Sequence, residues 1–466
     1  MHPHPRTAAL PAGAALRRGA ASLVVVMILF FVITLVAAYT SRNLLFEQRT
    51  SANQYRATLA FEAADAGMEW AIARLNEGRM NNDCTELAPA AAVATPPQDS
   101  FRERYLDPNP ATGAIGVRLQ TTAPTVERRA GCVFNGTNWV CDCPADGNPA
   151  PTVTTTGNGP FPAFWVRFLS TQLGTPQRPG VIRIQVNACT RADASCLDFN
   201  RQAQSGDGLA TVWSMVALRK GVPTAPAAAL TVRGTLAFGG NTYTVTNADP
   251  VSGGTTIHGG GAVTPSVNTV LRTVPGSPGA LSFVQNDPEL ALPNLAITPA
   301  TPANNGDNRM FNSVFGTWPA TYYAQPALSV VDCAANCAAA DVNAVALRKP
   351  GHALRVNGPA GCRLRIDAPI GTAAAPVLLV SDCTVEFDST APTIYGLVYS
   401  RAALWELEGG SGTIRGAAVA ERNFAFDNDN PSIIYDRDVM LRLQTFVGSY
   451  ARIAGSWRDF QPGVNP

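Results

Sequence analysis

The side chains able to do bond-making chemistry are few. Asp382, Glu386 and Asp388 share strand parity near the C-terminal end, and Asp427 and Asp429 follow later. Two carboxylates flanking a glycosidic bond are what sugar hydrolysis requires, so a glycan-cleaving site is one reading of these acids. The plainer reading puts them at corners and solvent faces, where Asp and Asn make turns. The run Phe426-Asp427-Asn428-Asp429-Asn430-Pro431 has that turn composition, and as a cation site it would hold calcium weakly. The only histidines are His2, His4, His258 and His352, so a catalytic triad or a multi-histidine zinc site is hard to build. Neither lysine, Lys220 or Lys349, is followed by Ser or Thr, which excludes a Walker-type phosphate loop. Gly259-Gly260-Gly261 follows His258 in a turn-rich stretch and reads as a loop. The expectation is no catalytic residue, no metal and no cofactor.

The elements that would carry any function are clearer. At 466 residues the chain has room for two or three domains. Its formal net charge is +1 and no basic stripe is interleaved with aromatics, so nucleic acid is not an expected partner. Charged residues make up only 15% while Gly (40) and Pro (36) abound, a mix that suits a turn-rich β protein.

The N-terminus carries the strongest signal. No charged residue occurs from Gly19 to Ser41, and Leu23–Ala38 is apolar except for Thr34. A helix of about 20 residues crosses the hydrocarbon core once. Leu23, Val24, Val25, Val26, Met27, Ile28, Leu29, Phe30, Phe31, Val32, Ile33 and Leu35 are the expected membrane-facing residues. Arg6, Arg17 and Arg18 precede them, which predicts a cytoplasmic N-terminus and a translocated remainder. A cleaved signal peptide is the rival, but its apolar region is shorter and ends at a small-residue cut site. Here the run continues without a turn into a proline-free segment reaching about Asn76. There Leu45, Ala52, Leu59, Ala63, Ala66, Trp70 and Ala73 form one apolar stripe, and Phe61, Ala64, Met68, Ile72 and Leu75 a second. Two stripes predict two partners: the chain's own globular part and either something outside it or a second domain.

A basic leader ending Arg17-Arg18-Gly19, an apolar helix, then Glu47-Gln48-Arg49 and Ala60-Phe61-Glu62-Ala63-Ala64-Asp65-Ala66 together resemble the PilX-type minor pilins over roughly the first 80 residues. The resemblance implies cleavage by a prepilin peptidase after Gly19, leaving Ala20 as the first mature residue. It implies insertion in inner-membrane lipid with the C-terminus periplasmic, then placement in a filament at the cell surface. The implied partners are the peptidase, other minor pilins, the major pilin and a pilus-tip adhesin. The implied role is priming type IV pilus assembly, with adhesion or twitching motility downstream. In major pilins the fifth mature position is a glutamate that neutralises a neighbouring N-terminal amine; here it is Val24. That departure points to a rare or terminal subunit. A tip pseudopilin of type II secretion shares the feature and stands as an alternative, as does a β-helix polysaccharide lyase or hydrolase on a membrane stalk.

The ten cysteines all lie beyond the apolar helix, on the side predicted to be oxidising. Spacing suggests local pairs: Cys132–Cys141 around an Asn135-Gly136 hairpin turn, Cys84–Cys143, Cys189–Cys196, Cys333–Cys337 and Cys362–Cys383. Spacing does not fix connectivity. Zinc is the rival, but the sequence has no Cys-x-x-Cys.

Residues 84–222 show β-rich runs at 161–170, 180–189 and 209–218, the plan of a pilin-like antiparallel sheet behind its helix. Pro223–Ala228 reads as a junction. Beyond it, Ile394, Ile414 and Ile434 are 20 residues apart. A 20-residue shift aligns Val377–Val380 with Leu397–Ser400 and Ala417–Ala420, and Cys383–Val385 with Ala403–Trp405 and Asn423–Ala425. Gly396, Gly416 and Asp436 fall on one register. Such a period predicts an all-β solenoid, a parallel β-helix, over 225–466, with an antiparallel sandwich as the alternative. Leu230–Val245 and Leu354–Ile366 are candidate further rungs, and Gly455-Ser456-Trp457-Arg458-Asp459 closes the same domain. The expected fold is thus α+β: a leader (1–19), a transmembrane and packing helix (20–77), a pilin-like antiparallel sheet (84–222) and the β-helix.

Overall fold

A computed structural model describes residues 17–88, 98–123, 125–154, 160–171, 178–190, 208–291, 305–388, 391–407, 410–427 and 430–459. The first element, α1, runs unbroken over Arg17–Leu75. No proline or glycine interrupts residues 20–66, so nothing in the backbone stops it. Its last four turns bury one face of Ala60, Ala63, Ala64, Met68, Ala71 and Leu75. The two stripes expected from spacing are corrected here: Ala66 and Ala73 are exposed, and residues from both stripes share the buried face. Small side chains let the helix axis approach the sheet. At Gly67 a Cβ would come within 2.7 Å of the Phe164 ring and 2.8 Å of Val186.

That sheet is antiparallel and six-stranded, in the order Gly448–Arg452, Leu209–Lys220, Val181–Cys189, Ala163–Leu169, Arg129–Phe134, Trp139–Asp142. Alternate residues Phe164, Val166, Phe168, Ile182, Ile184, Val186, Val212 and Val216 meet α1. Disulfides Cys84–Cys143 and Cys132–Cys141 close this head. Cys189 is also disulfide-bonded, and its expected partner Cys196 lies outside the described residues.

The edge strand Gly448–Arg452 comes from the far end of the chain. Lys220 pairs with Gly448 and Val216 with Arg452, while Gly221 N–H donates to Val447 O at 2.7 Å. Everything between residues 221 and 448 therefore hangs between two neighbouring antiparallel strands of the head. The expectation that 455–459 closes the distal domain is corrected by the same geometry. Trp213 and Arg458 exchange backbone hydrogen bonds of 2.7 and 2.8 Å, and Trp457 packs edge-on against Phe61 of α1. The last described residues return to the head, where they fill the open side of the strand Leu209–Lys220.

In the distal region successive strands alternate between parallel sheets. Leu328–Asp332, Ala353–Asn357, Val377–Ser381, Thr393–Ser400, Thr413–Ala420 and Ser432–Tyr435 pair in series within an eleven-stranded sheet. The strands between them form two smaller parallel sheets: Asn336–Ala338 with Arg363–Ile366 and Thr384–Phe387, and Leu404–Leu407 with Asn423–Phe426 and Leu236–Phe238. Leu354, Val356, Leu379, Val398, Ile394, Ile414 and Ile433 point inward with Val385, Phe387, Trp405, Phe424 and Phe426. Trp405 is fully buried and its Nε1–H donates to Val385 O at 2.9 Å. Disulfides Cys333–Cys337 and Cys362–Cys383 sit at the corners.

Two expectations for this region need correction. Helices Asn305–Phe315, Pro319–Tyr323 and Arg437–Phe446 cover the outer face of the large sheet, and Ala339–Arg348 forms another helix, so the region is not all-β. The repeat also slips. Ile394 pairs with Ile414 as a 20-residue shift requires, but Ile414 pairs with Ile433 rather than Ile434. Likewise Val377 pairs with Gly396 and Leu404 with Asn423. Corners of unequal length absorb the missing residue while strand parity keeps each side chain on its face. Gly396 and Gly416 do share a register, with φ of +150° and +139°. A Cβ on Gly396 would lie 1.8 Å from Val377 O.

Head and distal region meet at a buried cation. Arg102 Nε donates to Leu75 O at the end of α1 (2.9 Å), and its Nη1 donates to Gly351, Phe446 and Gly448 carbonyls (3.2, 3.2 and 3.1 Å). Its guanidinium lies 5.1 Å from the Tyr450 ring centre. Nearby, Asn76 accepts from Tyr450 N–H (2.7 Å) and donates to Tyr450 O (2.9 Å). His352 completes the contact, its Nδ1 3.0 Å from Ser329 Oγ. Burial, with the Arg102 and Lys349 charges added, pushes the His352 pKa down to about 3.

Two predictions follow from this packing. Gly396→Ala should destabilise the distal region by at least about 3 kcal/mol in urea unfolding, while Gly240→Ala, with open space around it, should stay within about 0.5 kcal/mol. A depressed histidine pKa means the unfolded chain binds the proton first, so stability is full above pH 6.5 and falls as pH drops toward 3. His352→Asn should flatten that acid limb, removing a slope of about 1.4 kcal/mol per pH unit between pH 6 and 4.5.

Candidate functional site

The large apolar side chains in the first half of α1 meet no cover among the described residues. Leu23 through Val36 leave half or more of each large side chain exposed, Val24 at 53% and Phe30 at 71%. Thr34 Oγ1 donates to Phe30 O, and Thr40 Oγ1 to Val36 O at 2.9 Å, so these hydroxyls are satisfied within the helix. The uncharged stretch from Gly19 to Ser41 spans about 34 Å at the helical rise, against a hydrocarbon core of about 30 Å. Among the described residues, this is the one helix long and apolar enough to cross a membrane. A soluble fold would not leave such a surface bare.

The chemistry-bearing side chains occupy other positions and do not converge. Asp382 accepts from Arg355 Nε (3.0 Å) and Nη2 (2.7 Å). Glu386, buried, accepts from Arg363 (2.7 Å) and Arg365 (3.0 Å) on the neighbouring strand. Each carboxylate is thus tied to guanidinium groups in an ion pair between neighbouring coils. Asp388 N–H donates to Ile366 O at a corner, and Asp429 lies outside the described residues. Sequence spacing gave no hint of one contact: His258 Nε2 lies 2.6 Å from Asp287 Oδ2, and this bond holds the Asp287 carboxyl below the usual range. The pair links two turns of chain 29 residues apart, which a motif search does not connect.

The helix α1 is thus half uncovered and half packed on an antiparallel sheet. Residues 18–69 match the family described as PilX N-terminal. The match lies within α1, stops six residues short of its end at Leu75 and includes none of the head sheet. No curated protein matches the chain. Among solved structures, the competence-associated pilin ComZ from Thermus thermophilus aligns at 10% identity over 87% of this chain and 97% of that one. The TM-score of 0.19 is too low for that alignment to carry any fold argument.

Placing a charge in the free half tests its use. Leu29→Arg should cost about 3 kcal/mol of insertion and move a large share of the protein from the carbonate-resistant membrane fraction to the soluble one. An Arg at exposed Thr58, on the half of α1 that carries the head, should leave that fraction unchanged.

Proposed function

We propose that this chain is a minor pilin of a type IV pilus: held in the inner membrane by α1, cleaved after Gly19, and assembled with other minor pilins and the major pilin. The observation that carries the reading is the PilX N-terminal match over an apolar half-helix left wholly uncovered. The arginines at 17 and 18 support a cytoplasmic start and a periplasmic head and distal region, where disulfides persist. Val24 at the fifth mature position supports a place at the filament end, since it offers no carboxylate to a neighbouring amine. Transfer from bilayer to filament exchanges lipid contacts for helix–helix packing.

In this reading the distal region is a parallel β-helix displayed at or near the tip for surface contact. The alternation of its strands between parallel sheets, with an apolar interior, supports that architecture. Its arginine-bound carboxylates support a binding or display role over an enzymatic one.

The N-terminal residue of the mature protein tests the core of the proposal. Mass spectrometry of membrane and sheared-filament fractions should find Ala20 first, and Met1 intact in cells lacking the prepilin peptidase. An uncut chain, or a cut near Tyr39, would overturn it.

A further inference from the structure

The last described residues do more than end the chain. Residues 448–458 fill one side of the strand Leu209–Lys220: five paired residues, then Ile453 N–H to Met215 O (2.9 Å), then the Trp213–Arg458 pair. Ser456 Oγ accepts from Met215 N–H (3.0 Å) and lies 3.1 Å from Ser214 Oγ, both inside the protein. The same segment grips α1 along its packed half. Trp457 meets Phe61, Arg452 pairs with Glu69 (2.8 Å), and Tyr450 is bonded twice to Asn76. Arg102 then joins Gly448 to the final carbonyl of α1.

This segment can reach its seat only through the distal region. It follows Arg437–Phe446, whose Met440 and Leu443 pack with Leu397, Tyr399, Ala417 and Val419 of the large parallel sheet. Until those strands are stacked, the helix lacks its apolar seat and keeps only its contact with the head strand Leu209–Lys220, so the segment after it is poorly delivered to the head. Closing a loop of more than two hundred residues without that scaffold is entropically unfavourable.

From this geometry we infer that residues 448–459 are a completion latch: α1 is fixed to its head only in a chain whose distal region has already folded. A chain broken off, misfolded or unfinished anywhere beyond residue 221 keeps an open edge on Leu209–Lys220 and a loosely held helix. The latch couples distal folding to the pose of the very helix that carries the exposed apolar surface. It concerns the head and the distal region alone, and stands whether or not the filament reading does.

Hydrogen exchange of the detergent-solubilised full chain, compared with three variants, tests it. The first ends after Val447. The second is the full chain with Asn76→Ala and Arg452→Ala, which weaken the seat without removing the strand. The third deletes 222–447 and joins Gly221 to Gly448 by an Asn-Gly turn. The latch requires that the first variant lose at least tenfold protection over 60–76 and 209–220 while 393–420 stay protected. The second should show a smaller loss, about threefold or more, at the same head positions. The third should recover head protection to within about threefold of the full chain. Unchanged head protection in the first variant overturns the inference. So does equal loss over 393–420, which would make head and distal region one unit with no order between them. If the third variant stays open, the head needs more than its closing strand, and the latch is likewise refuted.

Discussion

A positive charge without a carboxylate partner among the described residues stands at the centre of this molecule. Arg102 is buried, and burial lowers the pKa of its guanidinium. It is tolerated because carbonyl dipoles from three separate segments surround it, and because α1 presents its negative end there through Leu75 O. Replacing it with an apolar residue would remove a donor from four carbonyls, of which Gly351 O keeps the Gly448 N–H at 3.0 Å, a heavier loss than one missing ion pair. The end of α1, the turn at Gly351, the end of the helix Arg437–Phe446 and the start of the closing strand are held in one place by it. Head and distal region are therefore not beads on a linker. Arg79 strengthens the same seam by reaching Leu347 O (2.5 Å), and Lys349 pairs with Glu86 (2.6 Å).

Where the sequence was legible, a single physical requirement had left a strong trace. An apolar run without charge, glycine or proline can hardly be anything but a helix in an apolar medium, and α1 follows. In the β-rich runs at 163–169, 181–189 and 209–220 every second residue meets α1, as with Phe164, Val166 and Phe168. Cysteines at short spacing mark corners and hairpins. The register of the distal strands is another matter. Val377-Leu378-Leu379-Val380 is buried on both faces, Leu379 inward and Leu378 and Val380 under helices. With apolar residues on both sides the alternation disappears, and a slip of one residue costs nothing in the pattern while exchanging the two faces.

The covering helices and the closing strand were illegible for a different reason. Gly448-Ser449-Tyr450-Ala451-Arg452 is short and unremarkable by composition, and its partner lies more than two hundred residues away. Arg102 is one arginine among many, and only the meeting of four carbonyls gives it a role. The same holds for His258 and Asp287, and for Arg401, which joins Glu421, Tyr323 and Asn308 beneath the outer helices. Long-range polar contacts carry little local signature, so the parts of the site made by topology alone stay silent until the fold is known.

The doubled attachment of the distal region also sets how the molecule bears load. Two covalent strands leave the head side by side, at Lys220 and Gly448, and point the same way. A pull on the distal region directed along the strand axes is shared between them. The Leu209–Lys220 strand is hydrogen-bonded to Val181–Cys189 on its other side, so its bonds there are strained in shear, all together, instead of being peeled one by one. A distal region on a single tail would load one chain and could open the sheet from its edge. This molecule has a two-stranded tether that engages a whole ladder at once.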